Sequence, residues 1–218
     1  YDMTGIYQNA AEVTQGPSYV GARVGGPKYR DVNGDGTVNA ADRTIIGDPN
    51  PDFIYSFSLN ANYKNWDVAM FFNGSQGNDL YEATRYFTDF NTFAGARSAR
   101  MLDAWSPTNS GSMIPSVDNR ATNFEYSSSS YYVQSGSFFR MKNLQIGYSF
   151  PTDKLFGSKL GVNKLRVYAS TTNLFTITKY TGLDPEVSQE SETFSALGVD
   201  RGIYPNPRQF LLGVSVGF

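Results

Sequence analysis

The stretch from Asp52 to Gln76 constrains the fold most, because its apolar and polar residues alternate with a period of two. From Phe53 to Tyr63 every second residue is aromatic or aliphatic, and the pattern resumes at Trp66 after Lys64-Asn65. Successive strand side chains point to opposite faces, so the stretch predicts a β-hairpin with one apolar and one mostly polar face. Each run has about 10 residues, which a tilted strand needs to cross a bilayer. Tyr63 and Trp66 flank the turn, where an aromatic girdle would lie.

The same hairpin pattern would also fit a soluble β-sandwich in which the apolar face lies in the core.

The composition of the chain excludes several classes of function. The net charge is −2, which predicts no nucleic-acid partner. The chain has no His and no Cys, so it lacks the commonest general base and any disulfide or thiolate metal site. Together with the absence of a nucleophile or phosphate-loop motif, this predicts that the chain is not an enzyme.

Three further alternating runs extend the pattern toward the C-terminus. The predicted strands are 53–63, 66–75, 138–150, 164–174 and 208–218. The connections alternate between long (1–52, 76–137, 175–207) and short (64–65, 151–163) segments, an asymmetry typical of outer-membrane barrels. The prediction is an all-β, antiparallel transmembrane β-barrel with long extracellular loops. Five strands would leave edges unpaired in lipid, so they are expected to form part of a larger barrel.

Residues 31–42, DVNGDGTVNAAD, have the spacing of a calcium-binding loop. Oxygen-bearing side chains stand at loop positions 1, 3, 5, 9 and 12, position 6 is Gly36, and position 7 offers a backbone carbonyl. The predicted calcium ligands are Asp31, Asn33, Asp35, the Thr37 carbonyl, Asn39 and Asp42. Asp at position 12 gives a shorter arm than the usual Glu. The alternative is an Asx-rich turn that caps a short helix starting near Ala40.

The strand pattern also predicts what each face contacts. Polar residues of the strands are expected to face a barrel lumen, where Asp67 and Arg166 could contact a plug or a substrate. Arg140 and Lys142 share parity with the lipid-facing Leu144, so they are predicted to form a basic collar at the outer headgroups. Loop aromatics could stack on sugar rings or pack within the loops: Tyr81, Tyr86, Phe87, Trp105, Tyr131 and Tyr132.

Four stretches of the chain together resemble the C-terminal region of SusC/RagA-family TonB-dependent transporters. They are KYRDVNGDGTVNAADRTIIGDPNPDFIYSFSLNANYKNWDVAMFFNGSQGNDLY, FFRMKNLQIGYSFP, KLRVYASTTNLFTITKYTGLDPEV and YPNPRQFLLGVSVGF, which cover most of residues 28–218. The resemblance implies that residues 53–218 are the C-terminal strands of a 22-stranded barrel whose plug lies elsewhere. Residues 1–52 would be an extracellular loop region that contains the calcium loop.

The same resemblance implies a function in the bacterial outer membrane. The expected activity is TonB-dependent import of oligosaccharides or peptides. The expected partners are a SusD-like surface lipoprotein, the TonB complex, and outer-membrane lipid and lipopolysaccharide. The alternative that the residues leave open is a soluble, calcium-stabilised β-sandwich carbohydrate-binding module.

Overall fold

A computed structural model describes residues 1–90, 95–117, 124–151, 161–187 and 197–218. The chain forms two compact units. The loop unit comprises Tyr1–Pro49, Asp79–Gln134 and Val187–Ile203, and the strand unit comprises Asn50–Asn78, Ser135–Glu186 and Tyr204–Phe218. Residues 152–160 of the predicted short turn lie outside the described residues, as do 91–94, 118–123 and 188–196 of the predicted long loops.

Ten strands and five short helices make up the described secondary structure. The strands are β1 (Met3–Ile6), β2 (Pro27–Tyr29), β3 (Phe53–Tyr63), β4 (Trp66–Gln76), β5 (Asp79–Glu82), β6 (Val133–Ser135), β7 (Phe138–Phe150), β8 (Lys164–Thr178), β9 (Val199–Asp200) and β10 (Gln209–Gly217). The α-helices are α1 (Ala10–Gln15) and α2 (Arg85–Thr88), and 3-10 helices span Ala40–Asp42, Ala99–Asp103 and Ser130–Tyr132.

The strand unit is one antiparallel sheet of five strands in the order β10-β8-β7-β4-β3. β3 and β7 have the bounds predicted from sequence, whereas β8 continues to Thr178 rather than ending at 174. Its last residues pair with the start of β7, from Phe138 opposite Thr178 to Met141 opposite Phe175. Over the ranges that the structure describes, the sheet is open, with β3 and β10 as its edges.

Cross-strand pairing makes one face of this sheet apolar across all five strands. The apolar face consists of Tyr55, Phe57, Leu59, Ala61, Tyr63, Trp66, Val68, Met70, Phe72, Phe139, Met141, Leu144, Ile146, Tyr148, Leu165, Val167, Ala169, Phe210, Leu212, Val214 and Val216. Many of these side chains are exposed; Leu212 is 83% exposed and Val214 is 63% exposed. Aromatic rings gather at both ends of the face, where Phe57 stacks on Phe72 at 4.7 Å and Trp66 meets Tyr148 at 4.9 Å.

A β-bulge corrects the prediction of a basic collar on the lipid-facing side. The register of β7 shifts around Lys142, so Met141 pairs with Phe72 of the apolar face, and Arg140 pairs with Asn73 of the polar face. One extra residue reverses the parity of everything before it. Arg140 is only 2% exposed and pairs with two carboxylates, so the prediction that it meets lipid phosphates was wrong.

The core of the loop unit is rich in tyrosine and consists of side chains from the N-terminal region and Phe124. Tyr19 stacks on Phe124 at 4.8 Å, and Tyr1, Tyr7 and Tyr29 complete the cluster. Burial raises the pKa of Tyr7 to about 12, so its hydroxyl is neutral at physiological pH. Each of the three long connections contributes residues to this unit.

Within the described residues, no helix combines the length and the apolar composition needed to cross a membrane.

Candidate functional site

The polar face of the strand unit is centred on an ion pair between β4 and β8. Arg166 donates from Nε to Asp67 Oδ1 at 2.9 Å and from Nη2 to Oδ2 at 2.5 Å, which is a bidentate pair. The two strands are not neighbours, because β7 lies between them, so the side chains meet above Gly147. When the Gln145 side-chain amide is turned so that its oxygen faces the guanidinium, that oxygen accepts a hydrogen bond from Arg166 Nη2 at 3.1 Å.

Glycine makes room for this arrangement at two places. A Cβ at Gly147 would collide with the Arg166 guanidinium and would lie 2.6 Å from Asp67 Oδ1. The Arg166 guanidinium stands 4.9 Å from the ring centroid of Tyr168, and that ring in turn covers Gly213 on β10. The sequence placed Asp67 and Arg166 on one face but did not predict that they pair with each other.

We expect Gly147→Ala to displace the Asp67–Arg166 pair. The added methyl would meet the flexible, partly exposed ends of Arg166 and Asp67, so we expect the loss to be that of an exposed ion pair, about 0.2–1 kcal/mol. Denaturant unfolding of the complete gene product should show this loss, whereas Gly111→Ala, where a Cβ meets nothing within 4 Å, should change little. Equal stability of the two variants would contradict the role assigned to Gly147.

A second charged cluster lies at the end of the sheet where β7 begins. Buried Arg140 donates from Nε to Thr176 Oγ1 at 2.8 Å and from Nη1 to Glu186 Oε2 at 2.8 Å, and it forms an ion pair with Asp184. Lys142 reaches Glu186 at 2.6 Å. The sequence analysis missed Asp184 and Glu186 because it assigned the two β7 cations to lipid headgroups; the available signal was the acidic DPE turn after β8.

Asp184 is held as a carboxylate by this cluster. Burial alone would raise the pKa of Asp184, but the hydrogen bond from Arg140 and the backbone N–H groups of Glu186 and Asn206 outweigh it and lower that pKa below its usual value. Such a group contributes stability above the ordinary carboxyl pKa, and the contribution is lost as pH falls through the lowered value.

The predicted calcium loop folds back on its own backbone. Asp31 accepts from Gly34 N at 2.7 Å and Gly36 N at 2.8 Å, while Asp42 accepts from Val32 N and Asn39 N, both at 2.8 Å. Asn39 and Asp42 form a capping box on the 3-10 helix Ala40–Asp42, as the alternative interpretation expected. The backbone bond from Asn39 is the main cause that lowers the pKa of Asp42.

The donor set of this loop nevertheless suits a hard cation. The Asp31 and Asp42 side chains lie within hydrogen-bonding reach of each other, and a carboxylate offers about four acceptor sites, of which Asp31 uses two for loop amides. Among the described residues, however, no three Asp, Glu, His or Cys side chains are grouped as a metal site. Calcium at Asp31, Asn33, Asp35, Thr37, Asn39 and Asp42 therefore stays a prediction.

Most of the loop aromatics pack within the loop unit. Tyr132 is 1% exposed, and Trp105 donates from Nε1 to Gln8 Oε1 at 2.8 Å. Burial raises the pKa of Tyr131, whose ring lies 5.2 Å from the Arg100 guanidinium. Tyr86 and Phe87 keep exposed rings. Of the six candidates for sugar stacking, these two present the most surface.

Comparisons with known proteins agree with this fold. No protein-family model matches the chain. It is 36% identical over 224 residues to a TonB-dependent receptor of Formosa agariphila, and 30% identical over 192 residues to the TonB-dependent receptor SusC of Bacteroides thetaiotaomicron. These alignments cover 100% and 87% of this chain but only 22% and 17% of the relatives, so the chain spans about a fifth of their length.

Solved structures give the same result. The RagAB peptide importer in its closed-closed state matches 86% of this chain and 20% of its own chain, with a TM-score of 0.67 and 27% identity. A second RagAB structure matches 100% of this chain and 22% of its own, with a TM-score of 0.72 at 24% identity, which supports the fold alone. Over most of its length the chain is therefore homologous to SusC-type TonB-dependent receptors, and the resemblance predicted from its sequence is confirmed.

Proposed function

We propose that the complete gene product is an outer-membrane, TonB-dependent nutrient importer and that the strand unit is part of its barrel wall. The observation that carries this proposal is the exposed apolar face with aromatic rings at both ends. At about 3.3 Å per residue, the run from Phe53 to Tyr63 covers about 33 Å. At the 35–45° tilt of transmembrane strands this is a height of about 25 Å, which matches the apolar band of such barrels.

The proposed substrate class and partners rest on the family resemblance. RagAB is described as a peptide importer, which supports peptides as a nutrient, and the resemblance to the SusC/RagA family also implies oligosaccharides. The proposed partners are a SusD-like surface lipoprotein, the TonB complex, and outer-membrane lipid and lipopolysaccharide. The relatives are receptors and transporters, and we propose no catalytic role.

Growth of deletion strains tests this function. Loss of the gene should abolish growth on one oligosaccharide or peptide source and leave growth on simple sugars unchanged, and loss of TonB should reproduce the same defect. A gene product that stays monodisperse without detergent, in a strain with no nutrient defect, would instead favour the soluble carbohydrate-binding module.

We propose further that the loop unit is extracellular and that the turn Lys64-Asn65 is periplasmic. The gathering of all three long connections into one unit supports this, because barrels of this class place long loops outside and short turns inside. With an impermeant thiol reagent on intact cells, a cysteine at Ser110 should be labelled and a cysteine at Asn65 should not. Equal labelling would overturn the orientation.

Calcium is proposed as a structural ion in residues 31–42, where it would offset repulsion between the Asp31 and Asp42 carboxylates. Calcium sites of extracellular modules bind at about 10⁻⁴–10⁻³ M. Calcium should slow amide exchange across residues 31–42 in the complete gene product, and Asp31→Asn should remove this effect. Asp103→Asn, an exposed carboxylate outside the loop, is the matched control. Identical exchange with calcium and with a chelator would count against the site.

A further inference from the structure

The strand unit contains a polar cleft of about 400 Å³ beside the end of β8. Its walls combine Arg140 and Thr176 from the sheet with Asp184, Asn206 and Arg208 from the segments that follow β8 and precede β10. Ligand pockets typically measure about 300–1,000 Å³, so this cleft is at the small end of the range. It would hold one monomer unit of a larger molecule rather than a whole oligomer.

Hydrogen bonds between the walls fix the shape of this cleft. Asp184 Oδ1 accepts from Arg140 and from Glu186 N, and Oδ2 accepts from Asn206 N at 2.9 Å. One carboxylate thus joins the sheet to both connecting segments. A ligand that enters the cleft need not order these walls, and such preorganisation favours binding.

The charges of the cleft leave one cation unneutralised. Arg140 and Lys142 are balanced by Asp184 and Glu186 through three ion pairs. Arg208 is exposed, lines the cleft, and has no ion pair within the described ranges of the chain. Thr176 Oγ1 accepts from Arg140 and keeps its own hydrogen to donate. The cleft therefore offers two donors and a net positive charge to whatever enters it.

We infer that this cleft is a subsite for a carboxylate-bearing unit of the imported nutrient, with Arg208 binding the carboxylate and Thr176 supporting it. The inference rests on the proposed importer function and names the chemistry of one part of its substrate. Guanidinium–carboxylate bonds are about twice as strong as neutral hydrogen bonds and can be bidentate, so Arg208 would separate acidic from neutral substrates. A uronic acid residue and an acidic peptide share this chemistry.

Binding to the purified complete gene product tests the inference, with trigalacturonate and triglutamate as acidic probes, and maltotriose and N-acetylated, amidated trialanine as neutral ones. We expect the protein to bind one acidic probe, which tells a uronate source from a peptide source. Arg208→Gln should weaken that binding about 10-fold or more. Arg201→Gln, which removes an exposed guanidinium outside the cleft, should leave it unchanged.

Three other outcomes of the binding experiment would contradict the proposed subsite. Failure of both acidic probes to bind, no effect of Arg208→Gln, or an equal loss of neutral and acidic binding would overturn it. In each of these cases a nutrient-specific growth defect of the deletion strain would still support the importer, so the two proposals fail separately. High salt should also weaken the acidic probe and spare the neutral ones, because it screens the exposed guanidinium.

Discussion

Leu59→Arg should destabilise the complete gene product by about 2–4 kcal/mol, because it would place a charge near the middle of the membrane-facing side of β3. Leu59 is 51% exposed and lies opposite Met70, so its side chain has no protein core to enter. The fraction of protein with heat-modifiable migration in isolated outer membranes, followed by denaturant unfolding, would measure the effect.

Asn60→Arg is the matched control, one residue along the same strand. Asn60 lies on the polar face opposite Ala69, so an arginine at this position points away from the lipid. We expect Asn60→Arg to cost little folding stability.

Val214→Phe, on the apolar face of β10, should also be tolerated, because lipid accepts the added volume, whereas a packed core would lose about 1–3 kcal/mol. Equal damage from Leu59→Arg and Asn60→Arg would show that both faces are packed.

Arg140→Met should cost about 3–5 kcal/mol, because it leaves the buried Asp184 carboxylate without its cation, whereas Glu186 keeps Lys142. The side chains of Arg140 and Asp184 are 3% and 11% exposed, so water cannot replace the lost partner well. The damage should be local and should speed amide exchange at Glu186 and Asn206, whose N–H groups bond to Asp184.

Lys142→Met supplies the comparison. Lys142 and Glu186 are 29% and 31% exposed, so their ion pair contributes about 0–1 kcal/mol to stability.

The exchange of the Glu186 and Asn206 amides should also depend on pH. Because the pKa of Asp184 is lowered, their protection from exchange should persist down to a pH of about 3.9, the ordinary carboxyl value, and disappear below it. Equal effects of the two substitutions, or protection lost at neutral pH, would contradict the role of Asp184.

The alternation of residue types determined the strands and their faces. The bounds of Phe53–Tyr63 and Phe138–Phe150 could be predicted to the residue, because side chains alternate between two faces along a strand, which is a property of the local backbone. The Lys64-Asn65 turn follows in the same way from the spacing between two alternating runs. The homology to SusC-type receptors could also be predicted from the sequence, because long stretches of the chain resemble that family.

Only the tertiary structure decided which charges meet. A bulge at Lys142 moves Arg140 to the polar face, and its position depends on pairing with β4 and β8, which no single strand encodes. Asp67 and Arg166 are 99 residues apart and pair because Gly147, on the strand between them, leaves space. Asp184 likewise joins Arg140 and Asn206 from separate segments. Strand periodicity is local, whereas register, bulges and ion pairs depend on contacts between distant parts of the chain, so the sequence pattern determined the sheet and the fold determined its charged sites.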